Sequence, residues 1–455
     1  MRLRVVPFLL LAPAFAADLP TGRIIDKVAC SADPRQSYAL YLPSTYSAGR
    51  AWPILYCLDP GARGRVPVER FAEGAEKYGY IVAGSYNSRN GPRAPALEAL
   101  QAMWRDTHET LSIDDRRAYI AGMSGGARDA TAFLATGAFA GVIAQAAGFS
   151  GTVVPQDFAR PFFGTAGADD FNYAEMRQVD RELEARGAPH RLVIFAGSHG
   201  WAPSPVCAAA LAWMDLVAMR AGGKPIDKTL IDVLFRKDSD AARDAEAAGD
   251  VIEAYSEYRS LAVDFKGWED TAGVEKKAAE LKESKEFRKA VKGEEAAVDR
   301  QQQMTARIFL LARDLTNSGR QDALASLRDT IGELRTRAAS AKDSGDRRVS
   351  RRVLMEATVR AWEQSSVEQE KKNYSAAAAS LELGALIEPD NPELLYEMAG
   401  LYALSNDRGR ALACLKTAIE KGFRDLARLQ TDTSFASIRE TAGFRALAGQ
   451  GTSAR

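Results

Sequence analysis

Apolar residues change their spacing once along this chain, at Gly222-Gly223-Lys224-Pro225. Before that point, short apolar runs (residues 38–42, 53–58, 80–85, 117–121, 141–146, 161–164 and 191–196) alternate with longer amphipathic stretches such as 94–110, 125–136 and 173–186. In the last of these, Met176, Val179 and Leu183 recur at helical spacing and make one apolar face. Strand alternating with helix predicts an α/β domain, a mostly parallel sheet covered by helices on both faces. After Pro225 the strand signal fades, and Ala-, Glu-, Lys- and Arg-rich helical spacing runs to about residue 447, predicting an all-α second half. The whole chain of 455 residues is too long for one ordinary domain. The expected organisation is a leader over 1–17, an α/β domain over 18–222, a helical region over 223–365 and helical repeats over 366–450.

The leader is inferred from Met1-Arg2-Leu3-Arg4, an apolar run over 5–11, and Ala14-Phe15-Ala16. Basic, apolar and small-x-small segments in that order form an export signal, and the apolar run is too short for a membrane helix. No later run approaches the ~18 apolar residues of a span, so a secreted or periplasmic location is expected. Lys and Arg number 60 and Asp and Glu 60, so the basic excess of a nucleic-acid binder is missing. The three histidines, His108, His190 and His199, and the scattered Cys30, Cys57, Cys207 and Cys414 show no metal-ligand spacing. Neither a metal nor another cofactor is expected, and the spacing leaves cysteine pairing open. The charged stretch 275–300 reads as a solvated helical surface.

Chemistry enters at Gly122-Met123-Ser124-Gly125-Gly126, a Gly-x-Ser-x-Gly between a strand-like run and a helix-like stretch. A strand-to-helix turn this sharp exposes the Ser124 hydroxyl, and the flanking glycines avoid collision with neighbouring elements. The helix start behind it offers the Gly125 N–H to a developing oxyanion. Further along, the run 161–164 leads into Gly167-Ala168-Asp169-Asp170, and the run 191–196 into Gly197-Ser198-His199-Gly200-Trp201. Nucleophile, acid and base thus follow in the order Ser124, Asp170, His199. The early run 53–58 ends in Asp59-Pro60-Gly61-Ala62, a loop placed to give a second oxyanion N–H, from Gly61 or Ala62.

On these motifs, residues 20–222 resemble the α/β-hydrolase family, and within it the exported esterases related to feruloyl esterases and polyhydroxyalkanoate depolymerases. The resemblance implies a Ser124–His199–Asp170 triad and an acyl-enzyme route for carboxylic esters. The Gly-x-x-Asp register favours Asp170 over its neighbour Asp169. Trp201 either lines the substrate pocket or anchors its loop. Those enzymes usually carry His-Gly where Asp59-Pro60-Gly61 stands here. The α/β half is short, with little room for a cap domain, so an open site and a large or polymeric ester are expected.

In the second half, Ala377, Leu381, Gly384 and Pro389 are matched 34 residues later by Ala411, Leu415, Ala418 and Phe423. Small residues at this spacing let paired helices approach closely, and Leu395, Met398, Ala399 and Tyr402 fall where a first helix packs. These residues resemble tetratricopeptide repeats, which implies a surface for a protein partner. Two other readings stay open: an inactive hydrolase-fold scaffold or binding protein, and a serine peptidase.

Overall fold

A computed structural model of the protein describes residues 19–316 and 320–450, so the leader expected over 1–17 lies outside the described residues. The contacts divide the chain into two compact units after Gly293.

The first unit is built on an eight-stranded sheet. Its strands are β1 (Ile24–Ala29), β2 (Ser37–Tyr41), β3 (Trp52–Leu58), β4 (Ile81–Ser85), β5 (Ile113–Met123), β6 (Gly141–Gln145), β7 (Phe162–Gly167) and β8 (His190–Phe195). They lie in the order β1-β2-β4-β3-β5-β6-β7-β8. β1, β2 and β4 pair antiparallel and every later pair is parallel. This is the mostly parallel α/β sheet that the alternating pattern predicts. β1 is an addition: Asp26-Lys27 interrupts its apolar residues where the register with β2 shifts, as suits an exposed edge.

Side chains alternate across the sheet and build two cores. Ile54, Tyr56, Leu58, Ala118 and Ile120 face α2 (Arg93–Thr110), α3 (Gly125–Leu134) and α4 (Tyr173–Arg186). Leu55, Cys57, Tyr119 and Ala121 face α1 (Arg65–Tyr78) and α5 (Ser204–Arg220). Burial on both faces explains why these strands read as unbroken apolar runs. All four cysteines are free.

α5 is apolar nearly all round because it is covered twice. Cys207, Leu211 and Met214 pack on the sheet, while Ala212, Leu216 and Met219 lie under α6 (Lys228–Ala247), α7 (Val251–Asp264) and α8 (Ala272–Glu283) through Ile231, Leu234, Leu261 and Phe265. Ion pairs join the same layers. Arg191 at the start of β8 meets Asp238 at 2.6 Å, Glu257 at 2.9 Å and Asp264 at 3.7 Å. Arg259 of α7 binds Asp180 and Glu184 of α4, and Arg177 of α4 binds Glu253 of α7.

Carboxylates outnumber guanidiniums in this layer. Burial pushes the Glu253 carboxyl up to about 7, outweighing Arg177, and the Asp264 carboxyl up to about 6, outweighing Arg191. Against the same effect of burial, His190 and Arg259 hold Asp180 below the usual carboxylate range. The folded protein therefore keeps protons on Glu253 and Asp264 that the unfolded chain releases. Their contribution is full below the ordinary carboxylate pKa and is lost as pH rises through 6–7. Asp180 acts oppositely, losing its contribution only in stronger acid. Denaturant unfolding should show a fall of roughly 1–3 kcal/mol between pH 5 and 8, which Glu253→Gln reduces. A fall of equal size in wild type and variant would refute the role of Glu253.

The second unit is helical among its described residues. α9 (Lys285–Arg313) carries the chain into it, followed by α10 (Arg320–Ala338), α11 (Gly345–Glu370), α12 (Tyr374–Ile387), α13 (Pro392–Leu404), α14 (Arg408–Glu420), α15 (Leu426–Thr431) and α16 (Ala442–Gln450). Asn391, Asp407 and Asp425 cap α13, α14 and α15 by accepting backbone N–H bonds. Ala377, Leu381, Ala411, Leu415 and Ala418 are wholly buried, and Phe423 stacks on Tyr396 with ring centroids 4.2 Å apart. Among the described residues, no helix is long and apolar enough to cross a membrane.

Candidate active site

β5, β7 and β8 run parallel, so the loops that follow them leave the sheet at the same edge. Ser124 follows β5, Asp170 follows β7 and His199 follows β8.

At Ser124 the backbone takes φ 54° and ψ −121°, a sparsely populated conformation that costs of order 1–3 kcal/mol and persists only when its surroundings enforce it. Two glycines do so by close approach. A Cβ on Gly122 would lie 2.0 Å from the Gly126 carbonyl oxygen, and one on Gly126 would lie 2.1 Å from that of Leu58. The Ser124 N–H donates to the Gln145 carbonyl at 2.9 Å, while its carbonyl accepts from Ala127 and Arg128. Among the described residues, the Ser124 hydroxyl and the Gly125 N–H have no hydrogen-bond partner.

Asp170 is fully buried, and its Oδ1 accepts from the Asn172 N–H at 2.8 Å and from His199 Nδ1 at 2.9 Å. Facing a carboxylate, Nδ1 carries the proton and Nε2 is the free base. The imidazole stacks on Phe171, ring centroids 4.2 Å apart, with its side chain only 7% exposed. A third glycine brings the pair together: a Cβ on Gly167 would collide with the carbonyls of Gly197 and Ser198, at 2.4 and 2.6 Å. The Asp169 N–H donates to Gly197 O at 2.9 Å and fixes the same approach.

The loop after β3 is organised around Asp59, a buried carboxylate. Its Oδ1 accepts from the N–H groups of Gly61 at 2.8 Å and Arg63 at 3.2 Å, and its backbone carbonyl accepts from Ala62 at 3.1 Å. The Arg63 guanidinium grips both oxygens, and Trp201 Nε1 donates to Oδ2 at 2.8 Å. The N–H groups of Gly61 and Ala62, predicted as oxyanion donors, are thus both engaged inside the loop. Trp201 is 8% exposed, set edge-on against Phe71, and ties the histidine loop to Asp59.

Two further residues escaped the sequence reading. Gln145, fully buried at the end of β6, accepts from Ser124 through its backbone and from the Ala202 N–H through its side chain at 2.7 Å, linking the serine and histidine loops. A glutamine closing an apolar strand was the available signal. Asn90 lies against Gly125, its Oδ1 being 1.9 Å from where a Cβ on that glycine would sit. No sequence signal marked it.

No protein-family model matches the chain, and no curated protein sequence matches it. Solved structures similar to it include the fluorophosphonate-binding serine hydrolase FphF of Staphylococcus aureus, at 14% identity over 39% of this chain and 92% of that chain, TM-score 0.32. A ferulic acid esterase is similar at 16% identity over 42% and 95%, TM-score 0.34. The Pyrobaculum calidifontis esterase is similar at 14% identity over 45% and 88%, TM-score 0.36.

Proposed function

We propose that the protein is a serine hydrolase of carboxylic esters, working through Ser124, His199 and Asp170 and an acyl-enzyme. The observation that carries this reading is the Asp170–His199 pair at 2.9 Å, on the sheet edge where Ser124 sits in its strained turn. In the proposed reaction His199 Nε2 takes the Ser124 proton as Oγ bonds to the ester carbonyl carbon. Asp170 stabilises the imidazolium without taking its proton. The tetrahedral oxyanion is met by the Gly125 N–H. Collapse breaks the C–O bond, and the leaving alcohol receives the proton from Nε2. Water then repeats the sequence with the same base and frees the carboxylic acid. The resemblance to exported esterases extends this reading to a secreted or periplasmic enzyme acting on a large or polymeric ester. The 34-residue spacing of buried Ala377/Ala411 and Leu381/Leu415 supports tetratricopeptide-like repeats that dock a protein partner.

The test is turnover of p-nitrophenyl esters of increasing chain length, feruloyl esters and peptides by the full-length protein, with Ser124→Ala as control. Serine-dependent ester hydrolysis is expected. Turnover confined to peptides, or none at all, would overturn the ester reading.

A further inference from the structure

We infer that the Asn90 side chain supplies the second oxyanion hydrogen bond, in the place sequence reasoning gave to the backbone of Gly61 or Ala62. The inference rests on the serine-hydrolase reading above and names a donor within that site.

The Asp59 loop has no N–H to spare. Pro60 has none, and those of Gly61, Ala62 and Arg63 all turn back onto Asp59. Asp59 is held by five hydrogen bonds to its carboxylate, one of them from buried Trp201. Freeing the Gly61 N–H for substrate would take one partner from a buried charge, and freeing that of Ala62 would open the turn that shapes the loop, each at a cost.

The loop after β4 lies on this one. The Asn90 N–H donates to the Pro60 carbonyl at 2.8 Å, and Gly61 pairs with Arg89 as an isolated bridge. Backbone bonds thus hold Asn90 where its side chain reaches the serine turn. A Cβ on Gly125 would lie 1.9 Å from Asn90 Oδ1, 2.8 Å from Cγ and 3.3 Å from Nδ2. The carboxamide therefore sits beside the residue whose N–H is the first donor. The carboxamide NH₂ carries two donors, and in the proposed role one of them is directed at the oxyanion. The same contact explains why position 125 carries no side chain: any Cβ would displace Asn90.

The test compares wild type, Asn90→Ala, Asn90→Gln and Asn90→Asp, all full length, on p-nitrophenyl butyrate. Asn90→Ala should lower kcat roughly 10²–10³-fold, the usual cost of one oxyanion donor, with KM little changed. Affinity for a trifluoromethyl ketone analogue of the ester, which forms a tetrahedral oxyanion on serine, should fall in parallel. Asn90→Asp should be no better than Asn90→Ala, since a carboxylate repels the oxyanion, and Asn90→Gln should recover part of the rate. Circular dichroism and Tm identify any variant that fails to fold, and the comparison then rests on the folded ones. A folded Asn90→Ala with kcat within threefold of wild type overturns the proposal and leaves the hydrolase reading standing. So does a rise in KM alone with unchanged affinity for the ketone, which makes Asn90 a substrate-holding residue. Absence of serine-dependent turnover in wild type would instead overturn the reading beneath it.

Discussion

Ser124→Ala and His199→Ala are each expected to lower kcat on a small soluble ester by roughly 10⁴–10⁶-fold while the fold survives. Ser124 has no other assigned work: its hydroxyl bonds to nothing among the described residues, so removing it leaves no buried partner stranded. His199→Ala removes one bond to buried Asp170 and a stack on Phe171, and the Asn172 N–H still pairs the carboxylate. Asp170→Asn should cost roughly 10⁴-fold, because an amide that donates to Nδ1 forces the wrong imidazole tautomer. Asp169→Asn should stay within a few-fold, since what Asp169 gives this approach is its backbone N–H to Gly197. Rates measured beside circular dichroism decide the matter. Near-normal turnover in Ser124→Ala would remove the nucleophile assignment, and a larger loss in Asp169→Asn than in Asp170→Asn would shift the acid by one residue.

The second large effect concerns where the first unit can be cut. All proposed catalytic residues precede Gly222, which makes a fragment ending there attractive. Such a fragment would lack α6, α7 and α8 and leave Ala212, Leu216 and Met219 facing water. Uncovering Leu216 and Met219 costs about 1.5–3 kcal/mol each, comparable to much of the 5–15 kcal/mol that holds a typical domain together. Water would rehydrate Arg191 in the fragment, so the ionic part largely cancels. It does not cancel in the intact chain: there Arg191→Met leaves Asp238, Glu257 and Asp264 without their shared cation, at a cost of about 3–5 kcal/mol. The expected result is an aggregating fragment over 19–222 and a soluble, esterase-active one over 19–293. Sedimentation and ester turnover of the two fragments check this, and a folded, active 19–222 would show that the three helices are dispensable.

What the sequence makes legible follows from which residues carry their own explanation. Parallel strands buried on both faces announce themselves as apolar runs, and Gly122, Gly126 and Gly167 mark places where backbones nearly touch. Ser124, Asp170 and His199 could therefore be proposed as a set. Asp59, Gln145 and Asn90 were not, because a polar side chain at a strand end or in a loop acquires meaning only from its partners, and these include Trp201 for Asp59, Ala202 for Gln145 and Gly125 for Asn90, all distant in sequence. The polar middle of β1 hid an edge strand for a similar reason. The change of composition at Gly222, read as a domain boundary, falls where the strand–helix alternation ends, while the first compact unit continues to Gly293. It could not say what the apolar faces of the next three helices cover, although α5, apolar on nearly every side, and Arg191, a charge in the apolar run of β8, both call for a cover from elsewhere in the chain.

That cover arrives late in synthesis. Arg191 is made before any of its carboxylates, and Asp264 follows it by 73 residues. A ribosome adds roughly 5–20 residues per second, so roughly 4–15 s separate the two. Through that interval β8 carries a guanidinium whose native partners do not yet exist, and the sheet has no reason to retain it in place of bulk water. A nascent chain stalled before Asp238 therefore holds Arg191 with none of its three carboxylates, and completion of the β8 ion-pair layer waits on elongation through α7.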